Sequence, residues 1–440
     1  MFEEVLGHSF HYVLNESAET VIQLGNSRGA VRVPDCFFEF ASSAWLGKNS
    51  TPRYEGRDLC VKLIGQNLRQ VPVFSNVITS EAQLEVDALE VRIPIDIFGV
   101  LFVLISRYGE CIADSHDSHG RIRAEDCLLG KHGFQDRAIG NEYIEVLWAA
   151  MKHIWPGLKR KDRSFRILPS HDIDWPTMFG THSLLRCGKL LMRDSIKRKT
   201  AGSVTNLFVK PLQFLIGDYD RDPYNQIGWI MDQSEKQGLK SAFYYIPEKT
   251  HNLDPGMPID HPAVERQWKQ ISSRGHEIGI HPGYETWVSA ERIKSGVARF
   301  RQQFDKLGIQ QLMLGGRQHF LRWKTSNTGR HLNDAGLDYD STLGFAEHPG
   351  FRCGVCYEFP MYDVVERKAL RIRQRPLIAM DCSVTDQRYM GLGLTPKAFS
   401  VFQHFKSECE KYKGDFTLLW HNTSLITPAE REFYASVIGC

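Results

Sequence analysis

Two carboxylates that follow an apolar stretch have the types and spacing needed for chemistry at a metal ion. Phe165–Pro169 is an apolar run of strand length, and Asp172 and Asp174 follow it before Pro176 stops a simple continuation of the strand. If the backbone stays extended here, side chains two residues apart share one face. One carboxylate would then bind a metal while the other accepts a proton. An isolated Asp-x-Asp pair is more often a turn or surface feature, so this interpretation depends on partners elsewhere in the chain.

Metal-capable or proton-transferring side chains recur at the ends of four later strand-like segments. They are His281, Arg317 with His319, Asp381, and His421. A lone histidine is more often structural than catalytic. However, the carboxyl ends of parallel strands meet at one edge of a sheet or barrel, where α/β proteins place their chemistry. The pattern therefore predicts one site built from these side chains and the two aspartates.

The elements that must position these residues alternate between strand-like and helix-like patterns from Phe165 onward. Helices are expected at about Thr181–Arg198, Tyr224–Gln237, Pro262–Arg274 and Ser289–Leu307. Strand-like runs separate most of these helices and continue after them, among others at Gln311–Arg317 and Leu377–Val384, and this alternation argues for parallel βα units. Residues 161–440 are therefore expected to form an α/β, barrel-like domain of about seven strands.

The first part of the chain has a different organisation. Residues 1–160 are expected to form a separate α/β or α+β domain, because the charged, turn-rich segment Trp155–Asp162 resembles a boundary. Phe98–Tyr108 is expected to be a buried helix. Asp114–Arg121 is rich in side chains able to bind a metal, but its polar, glycine-containing context favours a solvated loop.

Composition excludes several classes of function. The chain has 440 residues, 42% of them apolar, and a formal net charge of +2, so neither nucleic acid nor an acidic membrane is indicated as a partner. The N-terminus lacks a signal-peptide pattern, and the longest apolar run, Ile97–Ile105, is too short for a transmembrane segment. Ten scattered cysteines do not resemble a disulfide framework. A cytoplasmic location is therefore expected, whereas the oligomeric state is not indicated.

The segment Phe165–Thr423 resembles the polysaccharide deacetylases, the family-4 carbohydrate esterases. Its most specific match is the phrase Gly275–His281, and His171–Asp174 resembles the family's first motif in a spaced form. The resemblance implies a distorted (β/α) barrel of about seven strands and a metal-dependent amidase activity. It also implies that Asp172 is the general base and that Asp174 and His281 bind the metal.

The third metal ligand is left open by the resemblance. Family members usually carry a second histidine four residues after the first, but here that position is Glu285. His319 lies where the family's third motif usually has a proline, and it would reach the metal from the next strand end. Zinc accepts both carboxylate oxygen and imidazole nitrogen, so both residues are candidates, and we favour His319. The implied cofactor is one divalent ion, with zinc as first choice and cobalt or nickel as alternatives.

The remaining motifs suggest roles in proton transfer. Arg317 matches the arginine that orients the catalytic aspartate in the family, with Asp340 or Asp381 as candidates to support it. Leu418–Asn422 resembles the motif of an apolar strand that ends in a catalytic histidine, here His421. Its imidazole would protonate the departing amine.

The function implied is metal-dependent removal of N-acetyl groups from an N-acetylated sugar in a polysaccharide or glycan precursor. The N-terminal part, around Ile93–Tyr108 and Asp117–Arg121, is similar to an uncharacterised domain that precedes some of these deacetylases, which implies a link to surface-polysaccharide biosynthesis. Two alternatives remain. One is another C–N hydrolase that acts on a small amide or ureide. The other is a non-catalytic glycan-binding homologue, which Glu285 at the usual histidine position would favour.

Overall fold

The structure is a computed structural model that describes residues 2–11, 18–63, 66–76, 83–180, 185–189, 211–255 and 257–439. The helix expected at Thr181–Arg198 lies largely outside these described residues, although residues 185–189 are helical. None of the helices described is long and apolar enough to cross a membrane.

The N-terminal part mixes antiparallel and parallel strands with helices. Its strands are β1 (Glu19–Gln23), β2 (Ala30–Pro34), β3 (Arg53–Leu63), β4 (Gln66–Ser75), β5 (Glu85–Val86) and β6 (Glu90–Arg92). Its helices are α1 (Phe2–Leu6), α2 (Cys36–Ala44), α3 (Ile97–Ser106), α4 (Tyr108–Cys111) and α5 (Ile139–Ile154). Four strands pair in the order β1-β2-β6-β5, in which β2 and β6 are parallel, and β3 and β4 form a separate antiparallel pair.

The buried helix expected from the apolar run is confirmed as α3. It begins after Asp96, whose side chain accepts a hydrogen bond from the Gly99 backbone N–H at 2.8 Å and so satisfies a free donor of the first turn. It ends at Arg107, which adopts the left-handed conformation with φ 57°. A helix that is apolar around most of its circumference is stable only when it is buried, and most residues of α3 are buried.

The C-terminal part is built on a nine-stranded sheet flanked by helices. Its strands are β7 (Arg166–Ile173), β8 (Ala242–Tyr245), β9 (Glu277–Ile280), β10 (Gly315–Gly316), β11 (Tyr339–Asp340), β12 (Phe359–Asp363), β13 (Lys368–Gln374), β14 (Ala379–Met380) and β15 (Asp415–Leu419). Its helices are α6 (Ile227–Lys236), α7 (Pro262–Ser273), α8 (Ala290–Leu307), α9 (Thr328–Asp334), α10 (Asp381–Thr385), α11 (Pro396–Lys411) and α12 (Pro428–Ile438). The strand order is β12-β13-β11-β10-β9-β8-β7-β15-β14, and every neighbouring pair is parallel except β12 with β13.

Strand pairing within the described ranges does not close this sheet into a barrel, so the closed barrel stays a prediction. The segment between β13 and β14 nevertheless forms backbone hydrogen bonds both with a residue that follows β11 and with a residue of β15. The Leu377 N–H donates to the Leu343 carbonyl, and the Ile378 N–H donates to the Thr417 carbonyl, both at 3.1 Å. The β12–β13 hairpin was not expected, although much of β13 alternates exposed and buried positions as a half-buried strand should.

The two parts of the chain share one apolar core and a buried ion network. The Glu110 carboxylate accepts hydrogen bonds from Arg107 at 2.7 Å and from Arg352 at 2.8 and 2.9 Å, and all three residues are buried. Burial raises the pKa of Glu110, but the two guanidinium groups outweigh it and lower the pKa to about 2. A continuous cluster of buried apolar residues also runs from Val5 to Ile438. The boundary near residue 160 therefore remains a prediction, and the parts on either side of it pack as one body.

Glu110→Ala is expected to lower the free energy of unfolding by about 3–5 kcal/mol, because it leaves two buried guanidinium groups without their shared carboxylate. Urea denaturation of the full-length chain would measure this change. Glu39→Ala, which removes an exposed glutamate of α2, is the matched control and should change stability by less than about 0.5 kcal/mol. Equal stability of the two variants would show that the network does not hold the two parts together.

Candidate metal centre and its proton-transfer groups

The predicted site residues do gather at the carboxyl ends of parallel strands. Asp172 lies at the end of β7 and Asp174 just beyond it, while His281 directly follows β9. Arg317 directly follows β10, and His421 lies two residues after β15. Because β10, β9, β7 and β15 belong to one parallel sheet, their ends share one edge, as expected for an α/β fold.

Three side chains form a group with the geometry of a metal site. The Asp174 Oδ1 atom lies 3.4 Å from the His281 Nε2 atom and 3.6 Å from the His319 Nε2 atom. One ligand atom from each of the three residues lies within 4.8 Å of the others. Both histidines are buried, and His319 arrives from the loop after β10. The fold therefore brings together three side chains that the sequence analysis proposed as metal ligands.

The donor atoms of this group suit a divalent cation. Asp174 Oδ1 is buried and has no hydrogen-bond partner among the described residues, which is costly for a carboxylate oxygen unless a cation or a donor faces it. Burial raises the pKa of Asp174, but the facing His319 and His281 imidazoles hold it well below its usual range, so the carboxylate is charged. One carboxylate oxygen and two imidazole nitrogens are a common ligand set for zinc.

In both His281 and His319, the second ring nitrogen, Nδ1, donates a hydrogen bond to a fixed acceptor. His281 donates from Nδ1 to the Arg317 carbonyl at 2.5 Å, and His319 donates from Nδ1 to the Asp254 Oδ1 atom at 2.7 Å. Such bonds to the outer nitrogen fix the tautomer and leave the Nε2 lone pair free to bind a metal. Both imidazoles are therefore arranged as ligands.

Asp254 is a residue of the candidate site that sequence reasoning missed. Its carboxylate is buried and also accepts hydrogen bonds from the Tyr284 backbone N–H at 2.8 Å and from the Thr250 hydroxyl at 2.6 Å. A Cβ atom at Gly283 would lie 2.8 Å from Asp254 Oδ2, so only glycine permits this close approach. Asp254 lies in the loop between β8 and α7, well beyond the strand end, and no local sequence pattern marks it.

Arg317 holds the predicted general base. It is fully buried and donates from Nη1 to the Asp172 Oδ1 atom at 2.8 Å. Its remaining donors bind the Ser170 hydroxyl at 2.8 Å and the Ser341 carbonyl at 2.9 Å. The Asp172 Oδ2 atom lies 3.6 Å from the His281 Nε2 atom. A guanidinium fixed at several donors thus orients Asp172 beside the candidate metal ligands.

Support of Arg317 by Asp340 or Asp381 stays a prediction, and the Arg317 guanidinium does act on the Asp340 carboxylate, whose pKa it lowers against the effect of burial. Among the described residues, no hydrogen bond joins either carboxylate to Arg317, which binds Ser170 and Ser341 instead. Burial raises the pKa of Asp340 to about 6, and its carboxylate binds Thr342. Asp381 begins α10 rather than continuing a strand, and this turn directs it elsewhere.

Asp381 instead binds the predicted catalytic acid. Its carboxylate accepts hydrogen bonds from the His421 Nδ1 at 2.8 Å and from the His421 backbone N–H at 3.0 Å. The His421 Nε2 atom lies 4.0 Å from the Asp174 Oδ2 atom. Burial lowers the pKa of His421, but the Asp381, Asp174 and Asp172 carboxylates outweigh it and raise the pKa to about 10. The surrounding carboxylates thus favour the protonated form of His421, whose Nε2 atom faces the candidate ligand Asp174.

Asp381, Cys382 and His421 form a second group of atoms close enough to hold an ion. Burial raises the pKa of the Cys382 thiol well above its usual value, with Asp381 acting in the same direction. In this environment the Cys382 thiol stays protonated when no ion is bound. The group is better described as a histidine oriented by an aspartate.

Glu285 lies outside the metal-ligand group. Its side chain is 42% exposed, and its carboxylate lies 3.9 Å from the Arg292 guanidinium. It precedes a short 3₁₀ helix, Thr286–Val288, which turns the chain away after His281. The geometry therefore favours His319 over Glu285 as the third ligand.

The raised pKa of His421 predicts a pH dependence of stability in metal-stripped protein. Protonation stabilises the fold, so the contribution is complete below about pH 6.5, the usual histidine pKa, and is lost as the pH rises toward 10. Within this window, wild type should lose up to about 1.4 kcal/mol per pH unit relative to His421→Gln. Urea denaturation in chelator at several pH values would measure the difference, and parallel profiles of the two proteins would contradict it.

Comparison with known proteins gives one family match. Residues 1–156 match the model of a family described as "Family of unknown function (DUF7033)". No curated protein matches the chain.

The solved structures that share similarity with the chain include the following two. A protein from Mycobacterium smegmatis designated a polysaccharide deacetylase is 17% identical with a TM-score of 0.40, over 63% of this chain and 84% of that chain. Puue allantoinase is 13% identical with a TM-score of 0.36, over 64% of this chain and 85% of that chain. A likeness of this degree does not define the fold or the activity of the chain.

Proposed function

We propose that the protein is a metal-dependent hydrolase of C–N bonds that removes N-acetyl groups from an N-acetylated sugar in a polysaccharide or glycan precursor. One observation carries this proposal. Among the described residues, the candidate site combines two oriented imidazoles with a charged carboxylate, one of whose oxygens has no hydrogen-bond partner. Beside this group lie a carboxylate held by an arginine and a protonated histidine. Metal-assisted hydrolysis of an amide uses these three functions, namely a cation site, a base and an acid.

The proposed ligands are Asp174, His281 and His319, with zinc favoured by the mixture of oxygen and nitrogen donors. A divalent ion held there would polarise the acetyl carbonyl and make a water molecule more acidic. Cobalt or nickel are alternatives because imidazole and carboxylate also suit them.

The protein's own acid and base divide the proton transfers. Asp172 accepts a proton from the attacking water, and its hydrogen bond to Arg317 keeps the carboxylate oriented for this step. His421 donates a proton to the departing amine, which leaves poorly as an anion. Asp381 binds Nδ1 of His421, so the proton to be delivered is on Nε2, the nitrogen that lies toward Asp174. The two residues therefore approach the scissile bond from different strand ends.

The sugar substrate is supported by the motif resemblance around Gly275–His281 and Leu418–Asn422. The same acid, base and cation site would also serve a small linear amide or ureide. The division at residue 160, the cytoplasmic location and the role in surface-polysaccharide biosynthesis are likewise predictions from the sequence.

The deciding experiment compares substrates with purified, zinc-loaded full-length protein. Acetate release from N-acetylglucosamine oligomers and from N-acetylated monosaccharides would be measured beside ring opening of allantoin to allantoate and ammonia release from simple primary amides. Acetate release only from the sugars supports the proposal. Turnover of the small amides alone would favour the other C–N hydrolase, and glycan binding with no turnover of any substrate would favour a non-catalytic homologue.

A further inference from the structure

A turn from the N-terminal part of the chain packs against the loops that carry the proposed metal ligands. We call residues 117–121 the Asp117 turn. Asp117 closes it by accepting hydrogen bonds from the backbone N–H groups of His119 at 2.8 Å and Arg121 at 2.9 Å. Gly120 has φ +75°, and a Cβ atom there would lie 3.1 Å from the Trp287 ring. The turn is thus shaped to approach the C-terminal part closely.

This arrangement corrects the expectation of a solvated loop. Asp114 and His116 are exposed, as expected, but Arg121 is buried and His119 is half-buried. The Arg121 guanidinium is paired with the Asp117 carboxylate at 2.7 Å. The polar composition of residues 117–121 therefore reflects contacts with another part of the chain as well as contact with water.

The first connection runs from Arg121 to the backbone beside His319. Arg121 donates from Nη1 to the Phe320 carbonyl at 3.1 Å. Phe320 and the next residue, Leu321, have φ angles of 62° and 55°, a backbone conformation that residues other than glycine seldom adopt. Two consecutive residues in this conformation persist only when their surroundings hold them. The contact from Arg121 is one such constraint, placed one residue after a proposed ligand.

The second connection runs through Tyr284 to the same histidine. His119 Nδ1 lies 3.0 Å from the Tyr284 hydroxyl, and the Tyr284 backbone N–H donates to Asp254 Oδ1 at 2.8 Å. That same Asp254 oxygen accepts the Nδ1 proton of His319. Arg322 joins the two sides, since it donates to the carbonyls of His119 and Tyr284, each at 2.8 Å.

We infer that the Asp117 turn is a positioning element of the metal centre, so that the N-terminal part helps to complete the site in the C-terminal part. Arg121 and His119 are not members of the proposed ligand group. They act through the Phe320 backbone and through Tyr284 and Asp254 to hold the His319 imidazole. This inference rests on the proposed metal site, and it assigns a role to a part of the chain whose family match states none.

The test measures metal affinity rather than turnover. Co²⁺ would be titrated into metal-free full-length protein, with the visible absorption of bound Co²⁺ reporting both the dissociation constant and the ligand geometry. Arg121→Ala is expected to weaken binding by up to about 10-fold, the lower end of the effect of losing a group bonded directly to a ligand, because Arg121 acts through the Phe320 backbone, and to alter the spectrum. Arg121→Lys should recover part of the affinity, because it keeps a charge beside Asp117.

His119→Phe is a second variant, since it keeps an aromatic ring against Phe320 but removes the hydrogen bond to Tyr284. It should weaken Co²⁺ binding even if Arg121→Ala fails to fold, which thermal unfolding of the metal-free proteins would reveal. Arg123→Ala is the matched control, because Arg123 is exposed and pairs with Glu125 and Asp126, and it should bind as wild type does. If His119→Phe and folded Arg121→Ala both bound Co²⁺ with the affinity and spectrum of wild type, the inference would be overturned and the proposed metal centre would stand. Failure of wild type to bind Co²⁺ would overturn the proposed metal centre as well.

Discussion

Asp174→Asn and His281→Ala are each expected to lose tight metal binding, with affinity falling by more than about 100-fold, beyond the range seen when only an outer contact is lost. The asparagine side chain would keep the shape of the aspartate but lack the charge that the unpartnered Oδ1 atom carries toward the imidazoles. Removal of His281 deletes a nitrogen whose orientation is fixed by the Arg317 carbonyl. Metal content after dialysis, measured by mass spectrometry, together with Zn²⁺ titration, would show the loss.

The third ligand is tested in the same experiment. His319→Ala should lose metal as the other two variants do, whereas Glu285→Ala should retain it, because the Glu285 side chain faces solvent and Arg292. Glu285→Ala is therefore both the control for mutation near the site and the test of the alternative ligand. Full metal occupancy in Asp174→Asn and His281→Ala would rule the site out. Occupancy kept in His319→Ala but lost in Glu285→Ala would reverse the choice of third ligand.

Asp172→Asn and His421→Ala are expected to lower the turnover of an N-acetylated glycan by roughly 10²–10⁴-fold, the scale of a positioned base or acid. The amide oxygen of the Asp172→Asn variant would still accept the hydrogen bond from Arg317, but the amide would not take a proton. His421→Ala removes the proton donor and leaves Asp381 without its imidazole partner. Neither residue belongs to the group formed by Asp174, His281 and His319, so both variants should keep their metal.

Turnover and metal content must be measured on the same samples to separate these roles. His404→Ala, which removes an exposed histidine of α11, is the control and should match wild type in both measurements. Wild-type turnover in Asp172→Asn or His421→Ala would remove that residue from the mechanism. A loss of activity that follows metal loss in proportion would show that the residue holds the ion instead of moving protons.

The strand ends could be predicted from the sequence because each is encoded by neighbouring residues. The apolar run before Asp172 and the run before His421 became β7 and β15, and the phrase that ends in His281 became β9. These strands pair in parallel, so the side chains just beyond their carboxyl ends lie close together. No further information is needed to predict this proximity. Helices α6, α7 and α8 also lie within about three residues of their predicted bounds.

Boundaries and hairpins were predicted less well. The strand expected at Gln311–Arg317 shortens to Gly315–Gly316, and the one expected at Leu377–Val384 gives way to α10 at Asp381. In both places apolar content suggested a strand, but the backbone pairs only where a neighbouring strand lies alongside it. Ladder hydrogen bonds need a partner strand, and sequence periodicity does not say where one ends.

The sequence by itself determined which side chains with ligand or proton-transfer chemistry stand at the ends of parallel strands, because that information is local. Only the tertiary structure decided their partners: Asp254 on His319, Asp381 on His421, Ser341 on Arg317, and Arg121 of the N-terminal part on the Phe320 carbonyl. It also favoured His319 over Glu285, which the sequence left open. Each of these contacts joins residues from different loops, and a hydrogen bond forms only where packing of distant segments brings donor and acceptor to about 3 Å with the right direction.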